Sequence, residues 1–562
     1  MNQATTNPEA VSEKVLTSLE LFYKWEKSQP NAVYLRQPLN GQWHDYTWAQ
    51  VGNEARRIAA ALRDMDLPPH SKIGLVSKNC ARWIICDLAI KMSGHVSVPF
   101  YPNLNADQLR QLLEHSESRV LFVGKLDDTH AVYNGVPDNV RCISFPISTA
   151  EKFEKWSDLL DKYEPAAEDH VPNLDDLETI VYTSGTTGTP KGVMQKYYTN
   201  CAGNKPTLEL TKFDQLKDPT FFSYLPLNHV AERALVENGS FLTGGTIYFV
   251  ESLETFAANL QHARPSVFLA VPRIWTKFQM GILDKMPQEK LDRLLKIPIV
   301  SGLVKRKIQK GLGLDRAEWL ISGAAPISAS TIEWFKKVGI KISEGYGMTE
   351  NSAVCTINPR EAIRVGTVGK PYPGCELKID PDTQELLMKA DWVMDGYYKN
   401  PEATDAVIKD GWLHTGDMAE FTSEGYVKIT GRVKDMFKTS KAEYVIPVPM
   451  ERMFASNTLI EQVCVVGYGL PQPFALVNLS EGARHMDKAE VEESLEDTLM
   501  AVNDSVADYE KINKLVITAD LWTVENGLMT PTLKVKRNVM DARYKVRMES
   551  WYNEGENPVI WE

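Results

Sequence analysis

Tyr182-Thr-Ser-Gly-Thr-Thr-Gly-Thr-Pro-Lys-Gly192 decides how this chain is to be read. Four hydroxyls (Thr183, Ser184, Thr186 and Thr187), three glycines (Gly185, Gly188 and Gly192) and Lys191 fall within one short turn. Glycines admit positive φ and close approach of a ligand, so successive N–H groups can converge on an anion. Hydroxyl donors and a mobile lysine add to such a site, and together they suit a polyphosphate. The preceding Thr179-Ile-Val-Tyr182 is β-branched and aromatic, which predicts a buried strand leading into the loop. The stretch is not a Walker A loop, because Pro190 precedes the lysine and Gly192 follows it. A Ser/Thr/Gly-rich surface loop is the plainer alternative at this point.

A chain of 562 residues is too long for one core, so two or more domains are expected. A hydrophobic share of 43% and an aromatic share of 9% are ordinary for a soluble globular enzyme. The net charge of −12 argues against nucleic acid as the main partner, since binding it needs clustered positive charge. Cys80, Cys86, Cys142, Cys201, Cys355, Cys375 and Cys464 are scattered and never in Cys-x-x-Cys spacing. They predict reduced, buried thiols rather than a zinc site or a disulfide framework. The N-terminal stretch with Glu9, Glu13 and Lys14 has no apolar signal-peptide core, and no apolar run reaches membrane-spanning length. A cytoplasmic protein is expected, with peripheral membrane contact and a homodimer left open.

Strand-like and helix-like segments alternate through the first three quarters. Asn105 predicts the cap of a helix with Leu109, Leu112 and Leu113 on its inner face, followed by a strand at Val120-Leu-Phe-Val123. Thr246 to Val250 reads as another strand. Ser252 is expected to cap a helix burying Leu253, Phe256, Leu260 and Ala263, before a strand at Val267 to Val271. Such spacing implies parallel sheets covered by helices. Gly425 to Thr430 alternates like a strand, and past Gly431-Arg-Val-Lys-Asp435 the chain becomes more charged. The expected fold is α/β: a large N-terminal domain (1–431) of parallel and mixed sheets flanked by helices, with a small α+β domain (432–562) after it.

Further motifs follow in order: Ile321-Ser-Gly-Ala-Ala-Pro326, Gly345-Tyr-Gly-Met-Thr-Glu350, Gly411-Trp-Leu-His-Thr-Gly-Asp417, and Leu528-Met-Thr-Pro-Thr-Leu-Lys-Val-Lys-Arg537. Read singly, Tyr346 fits a turn tyrosine, Glu350 a solvated glutamate, Asp417 a loop residue and Lys534 a basic surface strand. In this order, behind the glycine-rich loop, they resemble the adenylate-forming superfamily of acyl-CoA synthetases, luciferases and peptide-synthetase adenylation domains. The resemblance runs from about residue 45 to about residue 540.

That resemblance implies a role for each motif. Thr183, Ser184, Gly185, Thr186, Thr187, Gly188 and Lys191 would hold the phosphates of ATP. Gly323, Ala324 and Ala325 would form the turn on which adenine lies, and Tyr346 beside Gly347 would stack on the base. Thr349 would donate to the α-phosphate and Glu350 would ligate Mg2+ through a hard carboxylate oxygen. Asp417 would hold the ribose hydroxyls, with Arg432 beside them, and Lys434 would be the pivot between domains. Lys534 would be the catalytic cation that offsets charge as a carboxylate attacks phosphorus. The chain departs from the family pattern twice: Leu533 stands where many relatives have glycine, and Lys441-Ala442 replaces a glycine turn near the thioester-forming surface.

Ser223-Tyr-Leu-Pro-Leu-Asn-His-Val-Ala-Glu-Arg233 and Val271-Pro-Arg-Ile-Trp275 resemble the long-chain fatty acyl-CoA synthetase branch. His229 is expected near the substrate carboxylate, although a structural histidine fits as well. The reading is an AMP-forming acyl-CoA ligase using ATP, Mg2+ and CoA on a hydrophobic, medium- to long-chain acid. A ligase loading a carrier-protein thiol and a non-catalytic nucleotide-binding scaffold are the alternatives.

Overall fold

The computed structural model describes residues 15–183, 191–524, 526–530, 534–553, 555 and 557–562. Its frame is two large sheets with helices between and around them. In one, nine strands run in the order Lys370–Pro371, Thr356–Ile357, Ile342–Tyr346, Trp319–Ser322, Val267–Ala270, Thr220–Ser223, Thr246–Phe249, Val33–Leu39 and Gln42–Thr47. The strands from Ile342–Tyr346 through to Val33–Leu39 are parallel, and antiparallel strands close both edges. In the other sheet, eight strands centre on Leu177–Thr183, Val96–Phe100, Lys72–Val76 and Val120–Val123.

The helix Ala81–Met92 shows why the sheets associate. It is buried at every position but Arg82, and it packs in the core cluster joining Leu35 and Ile247 of one sheet to Ile73 and Phe122 of the other. A helix apolar on all sides has no solvent face and must lie between layers. Yet this one also carries Asp87 and Lys91 inside, at 0% and 2% exposure, and such charges need partners.

Most of the local expectations hold. Asn105 accepts from Gln108 N and caps Ala106–Ser116, which buries Leu109, Leu112 and Leu113. Val120–Val123, Thr246–Phe249 and Val267–Ala270 are strands, and all seven cysteines are free and buried. Ser252 is a correction. Its hydroxyl accepts from Thr255 N and the Thr255 hydroxyl from Ser252 N, so the pair closes a turn of its own. The helix therefore starts only at Phe256, with Thr255 as its cap, and Leu253 stays 83% exposed instead of joining the buried face. The strand expected at Gly425 to Thr430 runs from Val427 to Arg432, because Gly425, at φ 78°, belongs to the turn before it.

A smaller sheet of Glu376–Ile379, Glu385–Lys389, Trp412–Phe421, Ile408–Lys409 and Val427–Arg432 follows. Beyond Arg432, two further clusters build on the sheet Ile460–Val466, Phe474–Leu479, Lys514–Ile517 and Val559–Trp561, against the helices Lys488–Asp504 and Arg537–Tyr552. No helix among the described residues is long and apolar enough to cross a membrane.

Candidate active site

The glycine-rich loop is anchored at both ends. Thr183 pairs with Lys191 across the antiparallel strands Leu177–Thr183 and Lys191–Lys196, and Ile180, Val181 and Tyr182 are buried as expected. Ser184, Gly185, Thr186, Thr187 and Gly188 lie outside the described residues. At the far anchor, the Lys191 ammonium sits 4.7 Å from the centroid of the Tyr397 ring. The hydroxyl of the same tyrosine donates to Glu350 Oε1 at 2.7 Å. Tyr397 thus joins Lys191 to the expected metal ligand Glu350.

Thr349 and Glu350 lie in a short 3-10 turn that directly follows the strand ending at Tyr346. Gln195 donates to the Thr349 carbonyl at 3.2 Å, and Met394 N donates to the Glu350 carbonyl at 2.8 Å. Gly347 is required here: a Cβ on it would come within 2.5 Å of the Ala353 backbone. Across the cleft, Gly323, Ala324 and Ala325 follow the strand Trp319–Ser322, and Ala324 holds φ at 64°. A left-handed alanine stores strain of about 1–2 kcal/mol, the sort of conformation that persists at ligand sites.

Tyr346, Asp417 and Arg432 form one hydrogen-bonded set. The Tyr346 hydroxyl donates to Asp417 Oδ2 at 2.6 Å, and Arg432 Nε donates to Oδ1 at 2.8 Å. Asp417 pairs with Arg432 across adjacent strands, so backbone register brings the two side chains together. Burial, reinforced by Asp417, pushes the Tyr346 phenol well above its usual range, which keeps it a donor. Lys434 lies two residues past Arg432, exposed in the turn that Asp435 N closes on the Arg432 carbonyl.

Lys534 reaches this cleft from the C-terminal region. Its carbonyl accepts from Thr530 N at 2.8 Å and its own N–H donates to Thr530 Oγ1 at 3.1 Å, so the two residues are tied to each other. Three residues on, Arg537 makes two bonds to the Glu451 carboxylate, at 2.7 and 2.9 Å, so it is a largely buried anchor and not a surface cation. Lys534 is exposed to solvent, although protein atoms gather closely around it. That crowding lowers its pKa first, the Arg432 charge lowers it further, and Asp417 and Glu350 pull the other way.

His229 is half-buried, and its Nδ1 accepts from Ala231 N at 3.2 Å, leaving Nε2 to carry the proton of the neutral ring. Burial, helped by the Lys534 charge, holds its pKa down at about 4. Two residues brace the segment that leads to this histidine. Asn79 donates to Ser223 Oγ at 2.7 Å and to the Leu225 carbonyl at 2.6 Å, and accepts from Leu227 N at 3.1 Å. Buried Glu232 accepts from Tyr224 N at 3.0 Å, and burial pushes its pKa up to about 8.

A cavity of about 170 Å3 runs from the turn at Gly323 and Ala324 past His229. Val230, Leu235, Phe241, Leu242 and Leu269 supply apolar wall, and Lys91, Glu178, Arg233 and Glu237 form a charged floor. The floor is internally paired: Lys91 bridges Asp87 at 2.8 Å and Glu178 at 2.6 Å, while Arg233 bridges Asp87 at 3.1 Å and Glu237 at 2.9 Å. Arg233 and Glu237 belong to a π-helical segment, Arg233–Asn238, a form that recurs at functional sites. Sequence reading missed Tyr397, Asn79 and this floor. The run Gly396-Tyr-Tyr-Lys-Asn-Pro401, a glycine turn with paired aromatics before a helix, was the available signal for Tyr397.

These motifs, gathered on two sheets and a C-terminal region, define a nucleotide-binding enzyme of the adenylate-forming kind. The sequence matches the AMP-binding enzyme family over residues 22–398 and the AMP-binding enzyme C-terminal domain over residues 434–556. The chain belongs to that family, within the adenylate-forming superfamily. It is 28% identical to the long-chain-fatty-acid–CoA ligase FadD15 of Mycobacterium bovis, over 95% of this chain and 96% of that protein. It is also 28% identical to fatty acyl-CoA synthetase A of Dictyostelium discoideum, over 96% of this chain and 91% of that one. Among solved structures, the adenylation domain of a carboxylate reductase from Mycobacterium chelonae superposes with a TM-score of 0.80 at 23% identity, covering 97% of this chain and 92% of that one. An anthranilate CoA ligase in complex with anthranoyl-AMP superposes at 0.79 with 19% identity, covering 96% and 100%.

Proposed function

We propose that this chain activates a hydrophobic, medium- to long-chain carboxylic acid with ATP and transfers the acyl group to CoA. The observation that carries this reading is the convergence of Lys534, Glu350, Asp417 and His229 on one cleft with an apolar-walled cavity behind it. A carboxylate oxygen attacks the α-phosphorus, the bond to the bridging oxygen breaks and pyrophosphate leaves. The CoA thiolate then attacks the acyl carbon, and the bond to the AMP oxygen breaks.

In the first step Tyr346 offers its ring to adenine, Asp417 and Arg432 engage the ribose, and the 183–191 loop with Thr349 holds the phosphates. Lys534 offsets the negative charge that grows at phosphorus, where a preorganised cation contributes most. Neutral His229 donates from Nε2 toward the acid's carboxylate and so orients it. Glu350 is a single hard carboxylate held in place by Tyr397, which fits Mg2+, an ion that takes one or two carboxylates together with substrate phosphates. When bound, that ion would neutralise charge on the phosphates.

The cavity supports an acid of moderate length, having room for on the order of ten water-sized spheres. We take residues 1–431 as the large domain and 432–562 as the mobile small domain, with Lys434 as pivot, so that rotation withdraws Lys534 and admits the thiol. The names of the relatives in Mycobacterium and Dictyostelium favour CoA as acceptor, while the likeness to a carboxylate reductase domain keeps a carrier-protein thiol as the second reading. The test is AMP release across straight-chain acids from acetate upward, with CoA, a carrier protein or no thiol. Activity rising with chain length and requiring CoA supports the proposal. A best substrate that is acetate, an amino acid or an aromatic acid refutes it.

A further inference from the structure

The helices after Val271 carry a surface that the proposed reaction does not use. From Arg293 to Leu314 the chain contains no Asp or Glu, but holds Arg293, Lys296, Lys305, Arg306, Lys307 and Lys310, within a protein whose net charge is −12. The helix Pro298–Leu312 has no fully buried residue. Val304, Ile308 and Leu312 turn inward against the core that contains Phe268 and Trp275. On the outer face, Ile299 is 82% exposed and Leu303 63% exposed, with Ile297 before them at 49%.

Ile299 and Leu303 are four residues apart, and Arg306, Lys307 and Lys310 continue the same outer face by helical spacing. An apolar tip therefore stands inside a basic collar. Lys296, Arg306, Lys307 and Lys310 are exposed, and with the half-buried Lys305 they make no ion pair among the described residues; Arg293 bridges Glu289 at 3.2 Å, and the charge of Lys310 is felt by Asp315.

We propose that this face docks on a lipid bilayer with anionic headgroups, Ile297, Ile299 and Leu303 entering the headgroup boundary and the collar meeting lipid phosphate. The physics favours that occupant. Exposed aliphatic side chains gain by leaving water, and a lysine or arginine near an anionic leaflet adds about fivefold in affinity each. Nucleic acid would use the cations but leave the aliphatic tip in water. An acidic protein would also satisfy the charge, but the tip and collar here match an interfacial helix. The inference is independent of the identity of the acid.

The experiment is co-sedimentation of the full chain with vesicles of phosphatidylcholine alone or mixed with phosphatidylglycerol, at low and high salt. Binding is expected only with phosphatidylglycerol and is expected to weaken with salt. Ile299→Asp with Leu303→Asp should weaken it at least about tenfold. Arg306→Glu with Lys307→Glu should weaken it about thirtyfold or more. Both pairs are solvent-exposed, so melting temperatures close to wild type are expected and serve as the folding control. Equal binding by wild type and variants, or none by wild type, overturns the proposal. So does a concentration-dependent dimer that the aspartate pair abolishes while vesicle binding is absent.

Discussion

The Tyr346 hydroxyl lies 2.6 Å from Asp417 Oδ2, so the two residues expected to meet the base and the ribose are bonded to each other before any nucleotide is considered. Arg432 occupies the other carboxylate oxygen. Both oxygens of Asp417 are thus held, and the carboxylate cannot turn away from the cleft. Asp417→Asn keeps the shape but loses an anionic acceptor of two hydrogen bonds. Charge-assisted bonds contribute about 1.5–3 kcal/mol each, so the KM for ATP should rise by roughly ten- to hundredfold. An ATP titration at saturating acid measures it. A change confined to the KM for the acid would show that Asp417 does not serve the nucleotide.

Lys534→Ala should reduce acyl-adenylate formation by roughly 10²–10³-fold, the usual cost of one preorganised group at a developing charge. Thioester formation from supplied acyl-adenylate should be nearly intact. The depressed pKa of Lys534 adds a pH signature. The ammonium is needed in its charged form, so adenylation should fall as pH rises through that lowered value, at a lower pH than an ordinary lysine would give. Equal loss in both half-reactions would remove the lysine from this role.

Glu232 links the site to stability. Its folded pKa of about 8 lies above the ordinary carboxyl value of 4.5, so the folded chain binds the extra proton between those limits. The stability it contributes is fully present below pH 4.5 and is lost as pH rises through about 8. His229 acts in the opposite sense: its folded pKa of about 4 lies below the ordinary 6.5, so its contribution is lost as pH falls from 6.5 toward 4. Glu232→Gln keeps an acceptor for Tyr224 N without the titration. Urea unfolding from pH 5 to 8 should show a shallower decline for the variant; parallel curves would mean that Glu232 is ionised in the fold.

How legible these parts were follows from how local their signals are. The loop at 183–191, the turn at Gly323 and the Gly345–Glu350 segment announce themselves because glycine and small residues must sit at fixed offsets. The cavity floor does not. Asp87 with Lys91, and Arg233 with Glu237, are acid–base pairs four residues apart, a spacing that ordinarily marks a solvated helix face. Only the packing of Ala81–Met92 between two sheets reveals that these pairs are buried. Asn79 and Tyr397 were hidden for a related reason, since each acts on segments more than 40 residues distant. Ser252 misled because a hydroxyl that could cap a helix closed a turn instead.

Ala442 is where the glycine turn expected from the family pattern is missing, yet the backbone keeps the turn. Its φ is 68°, and Ala442 N donates to the Thr439 carbonyl at 3.1 Å. Alanine in the left-handed region costs about 1–2 kcal/mol, whereas glycine adopts it freely. Ala442→Gly should therefore stabilise the fold by up to about 1 kcal/mol, after glycine's greater unfolded-state entropy is set against the relieved strain. Denaturant unfolding followed on the C-terminal tryptophans Trp522, Trp551 and Trp561 would report it. A loss of stability would mean that the strain at Ala442 is not real.

Lys434 carries the prediction that depends on motion. It stands exposed in the turn after Arg432, and the neighbouring backbone is held on both sides: Val433 N donates to the Gly416 carbonyl at 2.9 Å and Asp435 N to the Arg432 carbonyl at 3.2 Å. If the C-terminal region swings, one residue between the two bodies must absorb a large change in φ and ψ. Proline fixes φ near −65° and removes the N–H, so Lys434→Pro restricts that change. In the arrangement described here Lys534 faces Asp417 and Glu350, which is the arrangement adenylation needs. Pyrophosphate release should therefore survive in the variant, while transfer of the acyl group to the thiol falls at least tenfold. A surface turn without a hinge role would lose a little stability and slow both half-reactions alike. Measuring the two separately, with acyl-adenylate supplied for the second, decides the matter, and unchanged transfer would place the pivot elsewhere.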